Sequence, residues 1–255
     1  MPSSNKVAIV TGSATGAGAA IALALADKGY NVVINYTKSL KEAEETEAAC
    51  AAKGVETLLF QGDVSKDEDC RAMAKAANDK WGRLDALVNN AGRTKFVAHS
   101  DLDGLSAQDF HDIYAVNTIG PYQMSRAVAP YMKETGKGSI VMISSVAGTH
   151  GHGSSIAYVA SKGALNSMTK SLARSMGPEI RVNSVCPGFI ETRWLLQGYG
   201  EDKYDAYKQK LIRDVPLKAV CQPEDVADAV LCFIEGTSMI TGEIMIVDGG
   251  MHLGS

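Results

Sequence analysis

Long hydrophobic runs are missing from this chain. None approaches the roughly 18 consecutive apolar residues that a membrane-spanning helix needs, so no membrane partner is expected. A basic stripe is missing too. The 25 Lys and Arg are interspersed with 29 Asp and Glu for a net charge of −4, which excludes nucleic acid as the natural partner. Cysteine is scarce: Cys50, Cys70, Cys186, Cys221 and Cys232 show no C-x-x-C or other ligand spacing. That excludes a disulfide framework, and the five read as reduced thiols in a cytoplasmic setting. The opening MPSSNKVAIV lacks a basic segment followed by a long apolar one, so no secretory signal is expected.

The 255 residues, 45% of them hydrophobic, suit one α/β domain spanning 1–255. Short Val/Ile/Leu-rich runs recur at 6–10, 31–35, 56–60, 84–88, 139–143, 181–185 and 243–247. They mostly lack alternation, as strands buried on both faces do. Amphipathic segments lie between them near 17–28, 40–53, 67–80, 106–133, 156–176 and 223–235. The alternation predicts a doubly wound parallel sheet of about seven strands with helices on both faces. From Gly188 to Pro216 the next strand is delayed, and Trp194, Tyr199, Tyr204 and Tyr207 fall among charges. This predicts one or two inserted helices, read as a substrate lid over 188–216, with a surface helical hairpin as the alternative.

The first run leads into 11-TGSATGAG-18 and then a helix. Such a loop offers free N–H groups and a positive helix end to a dinucleotide pyrophosphate. Gly12 serves the tight turn, Gly16 the close approach of ligand, and Gly18 the packing of helix on strand. The spacing points to a Rossmann-type cofactor site. A carboxylate closing the second strand would bind the ribose hydroxyls of NAD. The chain has 34-INYTKS-39 there, with no acid. Thr37, Lys38 and Ser39 suit a 2′-phosphate instead, so NADP(H) is favoured, with NAD(H) as the alternative.

In 157-AYVASKGAL-165, Tyr158 and Lys162 share one helix face. A phenol titrates near pH 10 on its own, and a neighbouring ammonium favours the phenolate. The pair can then move a proton to or from a carbonyl oxygen. A serine of 143-ISSVAG-148 is placed to hold that oxygen. Alone, the pair is equally a helix-surface contact.

Taken in order along essentially the whole chain, these motifs resemble the short-chain dehydrogenase/reductase family. TGSATGAG, with Ser13 and Thr15, resembles the family's cofactor loop. GDV resembles its adenine contact through Asp63 and Val64. VNNAG matches the segment after the fourth strand, with Asn90 and Gly92 on the cofactor. Asn117 matches the helix asparagine that anchors a proton relay to the lysine. Ser145 matches the active-site serine, thirteen residues before Tyr158, and Ser144 is the weaker match. CPGFIET resembles the nicotinamide-side segment, with Pro187, Gly188, Ile190 and Thr192.

The resemblance implies hydride transfer between cofactor and a ketone or secondary alcohol. Tyr158 would handle the proton, Ser145 the substrate oxygen, Lys162 both the phenol and the ribose, and Asn117 the proton path. The pattern is most similar to β-ketoacyl carrier-protein reductases and related carbonyl reductases, which implies a homotetramer, or failing that a dimer. An NAD-dependent sugar or polyol dehydrogenase is the rival enzyme. A non-catalytic dinucleotide sensor is disfavoured because Ser145, Tyr158 and Lys162 are all present. Two positions depart from the family: Ala17 replaces a larger aliphatic residue, and Thr15 replaces the basic residue of many NADPH users. Arg93, Lys95 and Arg193 are too scattered to mark a carrier-protein dock. His150 and His152 lack a third ligand at metal spacing, so no metal is expected. They are read as pocket or solvent residues, and Phe96, His99, Phe189, Trp194 and Tyr199 as pocket or lid residues, with ordinary packing as the equal alternative.

Overall fold

Consecutive Val, Ile and Leu make strands that are buried from both sides, and the computed structural model, which describes residues 3–253, shows how. In chain order the elements are β1 (Val7–Val10), α1 (Gly16–Asp27), β2 (Asn31–Tyr36), α2 (Leu40–Ala51), β3 (Thr57–Gln61), α3 (Asp67–Trp81) and β4 (Ala86–Asn89). They continue with α4 (Ala107–Tyr114), α5 (Gly120–Thr135), β5 (Gly138–Ile143), α6 (Ala147–His150), α7 (Ile156–Met176) and β6 (Ile180–Pro187). Last come α8 (Arg193–Tyr199), α9 (Glu201–Asp214), α10 (Pro223–Glu235) and β7 (Ile244–Val247). Among the described residues the seven strands form one parallel sheet ordered β3-β2-β1-β4-β5-β6-β7.

Successive strand residues serve opposite faces. Ala8, Val10, Val32 and Ile34 pack with Ile21 and Leu25 of α1 and with Val226, Val230 and Phe233 of α10. Val7, Ile9, Val33 and Leu87 pack with Met73 and Trp81 of α3, Met124 and Val128 of α5, and Leu165 of α7. Both faces are covered, so the strands have no polar side to display. The strand order reverses direction between β1 and β4. A crevice opens there at the strands' C-terminal ends, the switch point where ligands bind in open α/β sheets.

Two expected elements differ. The run at 84–88 becomes a strand from Ala86, although the Asp85 backbone already bonds to Val7 and Ser139 of the neighbouring strands at 2.9 Å. The Asp85 carboxylate accepts the Val7 N–H at 2.8 Å and pairs with Arg83 at 2.7 Å. The expected helix over 106–133 is two helices joined by a π-helical turn, Ala115–Ile119. Pro121 lacks the N–H that an α-helical turn would return to the Asn117 carbonyl, so the backbone widens there. The Gly188–Pro216 stretch forms α8 and α9, with a small core of its own: Phe189, Tyr204, Leu211 and Val215.

Candidate functional site

The crevice is a cleft of about 1000 Å³, and the glycine loop forms one end. Gly12 and Gly16 hold φ of +61° and +59°, backbone that glycine adopts without cost. A Cβ at Gly18 would overlap the Asn90 amide nitrogen and the Gly12 carbonyl oxygen. The loop is tied from two sides. Asn35 accepts the Gly12 N–H at 3.0 Å and donates to the Gly62 carbonyl at 3.0 Å. Asn90 donates to the Thr11 and Gly12 carbonyls at 2.9 and 3.0 Å. With these carbonyls engaged, the start of α1 presents its positive end to the cleft. Its N-cap Thr15 makes no side-chain cap bond, and its first turn contains no acid. This cradle fits an anionic pyrophosphate.

Gly12, Thr15, Gly16, Gly18, Thr37, Lys38, Asp63, Val64, Asn90 and Gly92 all line this cleft. Ser13 does not: its side chain is fully buried, donating to the Val10 carbonyl at 2.7 Å and accepting the Asn35 N–H at 3.0 Å. Its hydroxyl joins β1 to β2. Asp63 accepts from the N–H and the hydroxyl of Ser65 at 2.9 and 2.7 Å.

At the other end lies α7. Ser155 caps it by accepting the Tyr158 N–H at 3.3 Å, which sets the register that turns Tyr158 and Lys162 inward. The Lys162 Nζ is 5.6 Å from the Tyr158 ring centroid and donates to the Ile143 carbonyl at 2.8 Å. Lys162 is only 3% exposed, and burial pushes its pKa down to about 8 from 10.5. The two serines separate here. The buried Ser144 hydroxyl donates to the Lys162 carbonyl at 3.2 Å, so it positions the helix. Ser145 lines the cleft and accepts only the Ala147 N–H, at 3.1 Å.

The buried ammonium makes the site costly. The lysine's folded pKa lies below its unfolded value, so the unfolded chain binds more protons between pH 8 and 10.5, and stability rises with pH through that window. Below pH 8 the full penalty applies, on the order of 3 kcal/mol. Without cofactor, Lys162→Met is therefore expected to raise the melting temperature at pH 7, with the gain vanishing above pH 10.5. Equal melting temperatures at pH 7 would refute this.

Asn117 lies in the π turn, fully buried and away from the cleft lining. It donates to the Arg93 carbonyl and the Ser161 hydroxyl at 2.9 and 3.0 Å and accepts the Arg93 N–H at 2.8 Å. Its side chain thus clamps the segment after β4 to α7 and makes no direct bond to Lys162. Pro187, Gly188, Ile190 and Thr192 line the cleft. Thr192 faces the loop: a Cβ at Gly16 would meet its methyl at 3.5 Å.

Trp194 of α8 meets the Tyr158 ring edge-on, with centroids 6.2 Å apart. Phe96, His152 and Phe189 also line the cleft. His99 sits behind His152, bonded to the Gly153 carbonyl at 3.0 Å, and His150 packs on His252 instead. The Tyr199 side chain lies outside the described residues. Arg93, Lys95 and Arg193 are ion-paired, with Asp112, Asp109 and Glu42 respectively, each at 2.9 Å. Cys186 is fully buried, and burial pushes its thiol pKa up, which leaves it inert. Among the described residues no three His, Cys, Asp or Glu side chains converge as a metal site, and no helix is long and apolar enough to cross a membrane. Sequence reasoning missed Asn35. An asparagine in a strand carries no motif, and only the register of β1, β2 and β3 brings it under the loop.

Known proteins resemble this chain along nearly its whole length. A family model described as "Enoyl-(Acyl carrier protein) reductase" matches residues 12–252. The chain is 40% identical over 247 residues to "Granaticin polyketide synthase putative ketoacyl reductase 2" of Streptomyces violaceoruber, covering 97% of this chain and 96% of that one. It is 34% identical over 251 residues to a 3-oxoacyl-(acyl-carrier-protein) reductase of Staphylococcus epidermidis, covering 98% and 100%. A solved structure, "a putative short-chain dehydrogenase/reductase from Burkholderia xenovorans", superposes with a TM-score of 0.92 at 38% identity, covering 99% of this chain and 100% of that one.

Proposed function

The chain belongs to the short-chain dehydrogenase/reductase family, whose NAD(P)(H)-dependent oxidoreductases act on carbonyl and alcohol groups, and from that premise we propose an NADPH-dependent carbonyl reductase. One observation carries the reading: Ser145, Tyr158 and Lys162 share a single cleft with the glycine cradle. When bound, the dinucleotide supplies the hydride.

The chain's own residues do the rest. Ser145 donates its hydroxyl hydrogen to the substrate carbonyl and steadies the charge growing on that oxygen. Tyr158 delivers the proton to the same oxygen. Lys162, fixed by the Ile143 carbonyl, offsets the phenolate left behind and offers its remaining N–H groups to the ribose. Asn117 positions Arg93 and Ser161, and with them the wall through which the proton is replaced.

The exposed Thr37 and Lys38, without an acid at the end of β2, support NADPH. Lys38→Ala is expected to raise the NADPH dissociation constant about tenfold, a change of about 1.4 kcal/mol, with NADH nearly unaffected. Fluorescence titration of both cofactors reads this. Tighter NADH binding by the wild type would reverse the choice and favour the dehydrogenase direction.

A further inference from the structure

We infer that the substrate is a flat, uncharged cyclic or aryl ketone, seated against Trp194 above Tyr158; this rests on the carbonyl-reductase reading. Trp194 is 42% exposed although its indole edge meets the Tyr158 ring at 6.2 Å and an interplanar angle of 72°. Part of the Trp194 side chain is thus left open to the cleft beside the Tyr158 ring. Phe96 also lines the cleft and packs on the same helix, so close to Gly198 that a Cβ there would overlap its ring. The glycine lets α8 and Phe96 meet. The His152 imidazole lines the cleft too, its ring centroid 5.6 Å from that of His99. Edge and face contacts among aromatic groups reward a planar ring over a flexible chain.

Charge and polarity at this end argue against other classes. Arg93 and Arg193 are ion-paired at 2.9 Å, and Glu191 is held by Lys208 and Gln222. These charges are thus compensated at this end of the cleft, which disfavours a carboxylate or phosphate on the substrate. Polyols need converging donors and acceptors. The Thr94 and Ser154 hydroxyls are instead bonded to each other at 2.6 Å. An acidic carrier protein needs free basic groups at the rim. Arg93 and Lys95 are already paired with Asp112 and Asp109.

The test compares 2-tetralone, 2-octanone and the N-acetylcysteamine thioester of acetoacetate, following nicotinamide oxidation by wild type, Trp194→Ala and Trp194→Phe. We expect wild type to prefer 2-tetralone in kcat/KM. Trp194→Ala should lose about tenfold with 2-tetralone and under about threefold with 2-octanone, and Trp194→Phe should recover most of the loss. A second readout needs no turnover: 2-tetralone should quench tryptophan emission in wild type and not in Trp194→Phe, which retains buried Trp81. Preference for 2-octanone or the thioester, or equal losses on all three probes in Trp194→Ala, overturns the inference alone. Dinucleotide binding without turnover of any probe overturns the carbonyl-reductase reading, and the inference falls with it.

Discussion

Tyr158→Phe is expected to lower kcat by roughly 10³-fold while leaving the cofactor dissociation constant within about twofold. The substitution removes one oxygen and leaves the ring that meets Trp194 at 6.2 Å and Lys162 at 5.6 Å. The ring contacts of α7 are therefore kept, and the loss falls on what the hydroxyl does. Stopped-flow reduction of a ketone, with cofactor affinity measured by fluorescence, separates the two quantities. Turnover close to wild type would defeat the mechanism. A parallel loss of cofactor binding would instead make Tyr158 a structural residue.

Gly148→Ala is expected to do comparable damage without touching a reacting group. Gly148 lies in the short α6, where a Cβ would stand 2.5 Å from the Lys162 carbonyl carbon and 2.7 Å from the Gly163 nitrogen. These are backbone atoms and cannot step aside as a flexible side-chain tip would. α7 must move, and Tyr158 and Lys162 move with it. A displacement of about 1 Å at a reacting centre costs on the order of 100-fold in rate. Overpacking of this kind costs about 1–3 kcal/mol, or roughly 3–10 °C in melting temperature. Gly151→Ala is the control: it places a side chain at φ +73° with nothing within 4 Å, so it strains the backbone without displacing α7. Calorimetry and kcat for both variants decide. Equal activities would show that the α6–α7 contact does not position the site.

The residues that made the site legible are those whose chemistry is local. Tyr158 and Lys162 lie one helical turn apart, and Gly12, Gly16 and Gly18 lie within one loop, so spacing alone exposed them. Strand runs without alternation likewise disclosed a sheet covered on both faces. What spacing did not disclose depends on atoms far apart in sequence. Ser13 reads as a loop residue beside its neighbours, yet the Asn35 N–H and the Val10 carbonyl draw it into the sheet. Asn117 sits in an apolar helical pattern that shows no break, and the break comes from the N–H that Pro121 lacks. Ser144 and Ser145 are chemically identical and adjacent. Only the Lys162 carbonyl, eighteen residues away from Ser144, distinguishes them.

The α8–α9 pair has its own small core of Phe189, Tyr204, Leu211 and Val215, which shares no residue with the two cores flanking the sheet. Substitutions without shared packing partners tend to act independently. On the proposed reading, substrate-choosing residues of α8 and α9 that do not touch Tyr158 or Glu42 can therefore drift under selection while those that hold the sheet stay fixed. If that reading holds, the fold separates inheritance from innovation: a new substrate range can evolve within a small core whose packing is separate from that of the sheet.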